Sequence, residues 1–95
     1  MDSAQLSEQQ RIAFNRIIWH SRRGMLELDI LLEPFVRENY LKLDDAGQAA
    51  YRELLDCEDQ QLFDWLLNKN EPYPELREIV QAILAYASSG ASRQE

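Results

Sequence analysis

Between Leu76 and Ala87 the apolar residues are Leu76, Ile79, Val80, Ile83, Leu84 and Ala87, and this spacing of threes and fours puts them on one side of a helix. The same spacing returns in four earlier segments, and residues that stop helices stand between them. Nothing in the chain reads as a strand. Stripes of this kind are buried by packing helix against helix, so the expectation is an all-α fold, a small antiparallel bundle of about five short helices.

The boundaries follow from local chemistry. Ser7 followed by Gln10 forms a capping-box pattern and Gly24 suits a C-terminal cap, which gives a first helix from about Glu8 to Arg23. At 100° per residue, Ala13, Phe14, Ile17, Ile18 and Ser21 share one stripe, and Ile12, Arg16, Trp19 and Arg23 lie opposite. In the second segment Met25, Leu28, Leu31, Leu32, Phe35 and Val36 make a wide stripe, with Glu27 and Pro34 facing away. An interior proline costs about 3 kcal/mol, yet the stripe keeps its phase across Pro34, so one kinked helix from Gly24 to Tyr40 is expected. Asp44 is placed to cap a third helix carrying Tyr51, Leu54 and Leu55, with Gly47 weakening its first turn. A break at Asp56 to Asp59 precedes a fourth helix, Asp59 to Lys69, whose opening acids suit the positive end of the helix dipole. Pro72 and Pro74 then mark a turn, with Pro74 at the first position of the fifth helix. A single domain, 1–95, is expected, with an ordered core of about 8–87 and a flexible polar tail, 88–95.

Composition narrows the function. At 95 residues the chain can bury roughly 60–65% of its unfolded surface and fold without staples. Its one cysteine, Cys57, closes no intramolecular disulfide, and no thiol or histidine pair has metal-ligand spacing. The amino terminus lacks an apolar signal region, and no run approaches the ~18 apolar residues of a membrane span. A reducing, cytoplasmic home in a bacterium is the expectation. A net charge of −7 and a pI near 4.6 argue against nucleic acid and anionic membrane as partners. The segment from Arg11 to Arg23 nevertheless carries four arginines and no acid, +4 against a total of −7, so the remainder carries −11.

The run Trp-His-Ser-Arg-Arg-Gly-Met-Leu-Glu-Leu-Asp from Trp19 to Asp29, the run Leu54 to Leu66 containing Leu62-Phe63-Asp64-Trp65, and the Pro-x-Pro turn resemble the bacterial SdhE family. That family is related to the mitochondrial succinate dehydrogenase assembly factors. The resemblance covers about Ile12 to Leu84, and its hallmark Arg-Gly-x-x-Glu is Arg23, Gly24 and Glu27 here; the amino terminus is longer than the family's. It implies an assembly chaperone that binds the flavoprotein subunit of succinate dehydrogenase, and in some bacteria of fumarate reductase, and promotes covalent attachment of FAD to a histidine of that subunit. It implies no cofactor of the chain's own, since the FAD is the partner's. With that hallmark of Arg23, Gly24 and Glu27, the neighbouring Trp19, Arg16 and Asp29 complete the expected partner-binding surface, tryptophan and arginine being common at binding hot spots, and the uniform helical periodicity leads to the expectation of a monomer when free.

Each of these residues also has a plainer reading. Arg23 at a helix end suits the helix dipole, Gly24 suits a left-handed cap, and Glu27 is either a solvated first-turn acid or a capping partner. Arg23 and Glu27 are expected to project away from both stripes. Trp19, flanked by Arg16 and Arg23, is either a packed aromatic with an arginine over it or an interface anchor. His20 is expected at the surface, Tyr51, Phe63 and Trp65 in or near the core, and Cys57 as a small buried filler. Two other functions compete. One is an antitoxin-like binder of a membrane-associated toxin, a role also attached to the family. The other, the weakest, is an enzyme using His20, Glu27 and Asp29, which project in different directions with no nucleophile motif to join them.

Overall fold

The first helix begins as its sequence directs. The Ser7 hydroxyl accepts the Gln10 N–H at 3.1 Å, and the Gln10 side-chain oxygen accepts the Ser7 N–H at 3.0 Å. A computed structural model describes residues 6–89. It contains α1 (Glu8–His20), α2 (Leu26–Asn39) continued by a 3-10 turn (Tyr40–Lys42), α3 (Asp45–Leu55), α4 (Asp59–Leu66), and a second 3-10 turn (Pro74–Leu76) leading into α5 (Arg77–Ser88). Among the described residues there is no strand, and no helix is long and apolar enough to cross a membrane.

α2 is the hub. It buries Leu28, Leu32, Phe35 and Val36, and it packs against α1, α4 and α5. It runs through Pro34 as one element, because the stripe keeps its phase there. The proline denies a hydrogen bond to the carbonyl four residues back, that of Ile30, a residue on the exposed side of the helix. The other stripes close over α2, with Tyr51, Leu54 and Leu55 from α3, Leu62, Trp65 and Leu66 from α4, and Ile79, Val80 and Ile83 from α5. Truncating any one of these to alanine costs on the order of 2–5 kcal/mol.

Several helix ends differ from expectation, and α2 starts at Leu26 instead of Gly24, whose φ of +84° is not helical. α1 stops at His20, not Arg23, because Ser21 turns inward and tightens the last turn: its N–H reaches the Ile17 and Ile18 carbonyls at 3.0 and 3.1 Å. Gly24 is therefore not its cap. α4 stops at Leu66, not Lys69. Lys69 itself adopts φ +61°, and the Asn70 N–H returns to the Asp64 carbonyl at 2.9 Å, a left-handed stop made without glycine. The regular helix α5 begins at Arg77, since Pro74 opens a separate 3-10 turn. At its far end α5 includes Ser88, and residues 90–95 of the expected tail lie outside the described residues. Gly47 also has a purpose the sequence did not reveal. The Asp44 carboxylate accepts the Gly47 N–H at 2.8 Å, and a Cβ there would sit 3.1 Å from that carboxylate and 3.2 Å from the Leu43 Cβ. A side chain there would make Asp44 or Leu43 give way by a few tenths of an ångström.

One polar pair lies at the centre. Ser21 is fully buried, and its hydroxyl donates to the Ile17 carbonyl at 2.8 Å while lying 2.7 Å from the Tyr51 hydroxyl. A serine has one proton to give, so Tyr51 is the donor between the two. The Tyr51 ring is tilted against Phe35 at 5.8 Å and edge-on to Tyr40 at 5.7 Å. Burial pushes the Tyr51 phenol far above the usual tyrosine range, with the Arg23 charge acting the other way.

Two outcomes are expected. Ser21→Ala strands the buried Tyr51 hydroxyl and should cost about 1–3 kcal/mol in denaturant unfolding, whereas Ser21→Ala combined with Tyr51→Phe removes both partners and should recover much of that loss. Because the folded protein holds the Tyr51 proton more tightly than the unfolded chain, its contribution to stability is intact below about pH 10 and erodes above it. In an alkaline titration followed by phenolate absorbance, one of the four tyrosines should ionise only as the protein unfolds, and Tyr51→Phe should abolish that step.

Candidate functional site

The junction between α1 and α2 is built around Arg23. Its Nε donates to the Asp59 carboxylate at 2.8 Å, one terminal nitrogen donates to the Leu55 carbonyl at 2.8 Å and the His20 carbonyl at 3.2 Å, and the other donates to the Cys57 carbonyl at 2.8 Å. His20 and Leu55 are the last residues of α1 and α3, and Asp59 is the first of α4. One planar cation thus closes two helix C-termini and pairs with the acid at a third helix's start, where the fixed fork of donors matters. The Arg23 backbone N–H meanwhile donates to Asp29 of α2 at 2.8 Å.

This corrects the expectation that Arg23 projects outward. Its side chain keeps 12% of its exposure, against 41% for Asp59. The physical cause is the early end of α1, which releases Arg23 from the helix so that its side chain can fold back across the α3–α4 turn. Asp29 is likewise half-buried and engaged within the fold.

Gly24, directly after this anchor, has φ +84°, a conformation that L side chains rarely adopt. It is exposed, and beyond its chain neighbours no described residue lies within 4 Å of where a Cβ would stand. The conformation demands glycine, while the space around it lies open to a visitor. Glu27, in the first turn of α2, is exposed and makes no hydrogen bond or ion pair among the described residues. The capping role considered for it is not used.

Trp19 is 69% exposed, so the packed alternative is excluded. The arginine over it is Arg22, not Arg16 or Arg23, with its guanidinium carbon 5.3 Å from the ring centroid. Arg22 also pairs with Glu33 on α2, which draws Trp19 toward the outer ridge of that helix. Leu26 and Ile30 share the ridge at 70% and 58% exposure, one turn apart and on the side away from the core stripe. Ile12, 48% exposed, lies two turns before Trp19 on the same side of α1, with Arg16 exposed between them. The outer face of the α1–α2 pair is therefore a set of large apolar side chains edged by Arg16, Arg22 and Glu27. Sequence reasoning missed Arg22, Leu26 and Ile30, although Leu26 and Ile30 stood off the inward stripe at a spacing of four.

The other sequence expectations resolve simply. His20 is exposed, Tyr51 and Trp65 are buried, Phe63 is half-buried against the core, and Cys57 is half-buried, its thiol pushed up by burial and then by the Asp56 and Glu53 charges. His20, Glu27 and Asp29 share no hydrogen bond.

Arg23→Ala removes four side-chain hydrogen bonds and leaves carbonyls at the α3–α4 turn without partners. It should cost about 2–4 kcal/mol in denaturant unfolding, and Arg23→Lys should recover less than half, because an ammonium cannot span the same acceptors.

The profile of a family described as "Flavinator of succinate dehydrogenase" matches residues 15–87. A protein named FAD assembly factor SdhE from Pseudomonas aeruginosa is 56% identical over 70 residues, covering 73% of this chain and 83% of that protein. Proteins of the same name from Pseudomonas putida and Shewanella oneidensis are 47% and 42% identical, covering 79% and 77% of this chain and 90% of each relative. The matched span takes in the α1–α2 junction, the Arg23 anchor and all of the core helices except the first turns of α1 and the last residue of α5. The chain belongs to the SdhE family of FAD assembly factors, the flavinators of succinate dehydrogenase.

Proposed function

We propose that this protein is an assembly factor that binds the flavoprotein subunit of succinate dehydrogenase and promotes covalent attachment of its FAD, with the outer face of the α1–α2 pair as the docking surface. The observation that carries this reading is the coincidence of an open, left-handed Gly24 and a 69% exposed Trp19 on a junction fixed by five hydrogen bonds to Arg23. Tryptophan and arginine around a desolvating apolar centre are what binding hot spots are made of. A surface already ordered before contact loses little conformational entropy on binding.

Trp19, Leu26 and Ile30 form the apolar centre, Arg16 and Glu27 provide charge at its edge, and Gly24 permits close backbone approach. Arg23 and Asp29 shape this surface from beneath. The chemistry itself belongs to the partner. Joining a histidine nitrogen to the flavin methyl carbon requires the two atoms in a near-attack arrangement, and ordering the walls around a bound cofactor supplies that without a catalytic group from the helper. The same surface would serve a fumarate reductase flavoprotein of similar shape.

Gly24→Asn tests the reading, because asparagine tolerates the left-handed conformation while placing atoms in the open space. It should melt close to the parent, bind the flavoprotein subunit poorly in titration, and leave the FAD largely non-covalent by in-gel flavin fluorescence. Gly24→Ala should be less stable than Gly24→Asn. Trp19→Ala, at an exposed position, should change stability by less than about 0.5 kcal/mol yet weaken binding by about 2 kcal/mol or more. Stable Gly24→Asn and Trp19→Ala proteins with full activity would reduce the junction to a helix break.

A further inference from the structure

Gly24 has no side chain to hold it. Its two chain neighbours aside, no described residue lies within 4 Å of where a side chain would begin, so its conformation depends on the residues on either side. On one side is Met25, packed against the core, and on the other is Arg23. The orientation of the exposed junction therefore depends on what fixes Arg23.

Of the guanidinium's partners, three are backbone carbonyls that every sequence would provide. The fourth, Asp59, is the only side chain among them, it supplies the countercharge, and it alone engages Nε, the nitrogen nearest the backbone. The terminal nitrogens hold the far end of the fork, and Asp59 fixes the near end, which stops the plane from pivoting about its carbonyl contacts. Asp59 lies on α4, 36 residues from Arg23, and is no part of the α1–α2 face.

We infer that Asp59 is a positioning residue for the partner-binding surface, setting the orientation of Gly24 and Glu27 through the Arg23 guanidinium without touching the partner. This rests on the reading that the Gly24–Glu27 surface meets the flavoprotein subunit. The competing account is that Asp59 merely supports the start of α4 as an acid at the positive end of the helix dipole. That start has separate support, since the Gln61 side chain accepts the Glu58 N–H at 3.0 Å.

The experiment compares Asp59→Ala with Asp59→Asn in the full chain. Both lose the charge that suits the helix dipole, but asparagine keeps an oxygen able to accept from Nε. For each variant the amide resonances of Gly24 and Glu27 are recorded in the free protein, and the flavoprotein subunit is titrated well below the melting temperature. Asp59→Ala should move both resonances and raise the Kd about tenfold, a modest loss on the scale of binding energies. Asp59→Asn should return both readings most of the way to the parent. Unmoved Gly24 and Glu27 resonances in Asp59→Ala would overturn the inference, as would equal effects of alanine and asparagine, moved resonances with unchanged affinity, or an Asp59→Ala chain that no longer folds. Failure of the docking surface itself has a different signature: Gly24→Asn and Glu27→Ala would then bind as the parent does, even while Asp59→Ala still moved the Gly24 resonance.

Discussion

A single guanidinium holds the junction of this fold's first two helices together. Arg23 joins the ends of α1 and α3 and the start of α4, and its backbone nitrogen is tied to α2, so four of the five helices meet at one residue. Helix termini leave carbonyls that need donors, and a short bundle has many termini for its size. Here the need is met by a side chain from the loop that must also be kept rigid. The cation is neutralised by an acid that retains water on one side, which limits the desolvation cost that a fully buried pair would incur.

Beneath that junction, the Ser21–Tyr51 hydrogen bond does a similar task in the core. It fixes where α1 gives up its helical path and the loop begins, and it joins α1 to α3 across the interior. The two anchors lie close along the chain, at Ser21 and Arg23, and both reach α3 or the turn after it. The path into Gly24 is thereby determined from inside the protein, while the outer face is left unpaired for contact. Rigidity and availability are separated by residue: Ser21, Arg23 and Asp29 turn inward, and Trp19, Gly24 and Glu27 turn outward.

The helices were legible because periodic burial is a local property. The α5 stripe and the Ser7–Gln10 cap could be read directly, and the phase of α2 across Pro34 identified one helix where a rule about proline would have given two. Helix ends were less legible, since they depend on what reaches them. The end of α1 is decided by Tyr51, thirty residues away, and the fate of Arg23 by carbonyls and an acid on the α3–α4 turn. No local pattern encodes those meetings. Asp59 read as a helix-opening acid because that is all its neighbours disclose. Periodicity placed Trp19 off the main stripe, but whether another helix covers that side is a matter of topology. The family resemblance picked out the junction, and only geometry separated the members that face outward from those that brace it.

The uncovered face has a consequence for the protein in isolation. Trp19, Leu26, Ile30 and Ile12 present to water the sort of surface that makes copies of a protein adhere to one another, and among the described residues the arginine laid across the indole is what shields it. Copies share a net charge of −7, with −11 carried outside the basic segment, so two molecules repel as their apolar faces approach. The acidity of the rest of the chain thus acts as a colloidal property that opposes self-association. As the pH falls toward 4.6 that repulsion vanishes while the apolar face does not, and self-association should set in there.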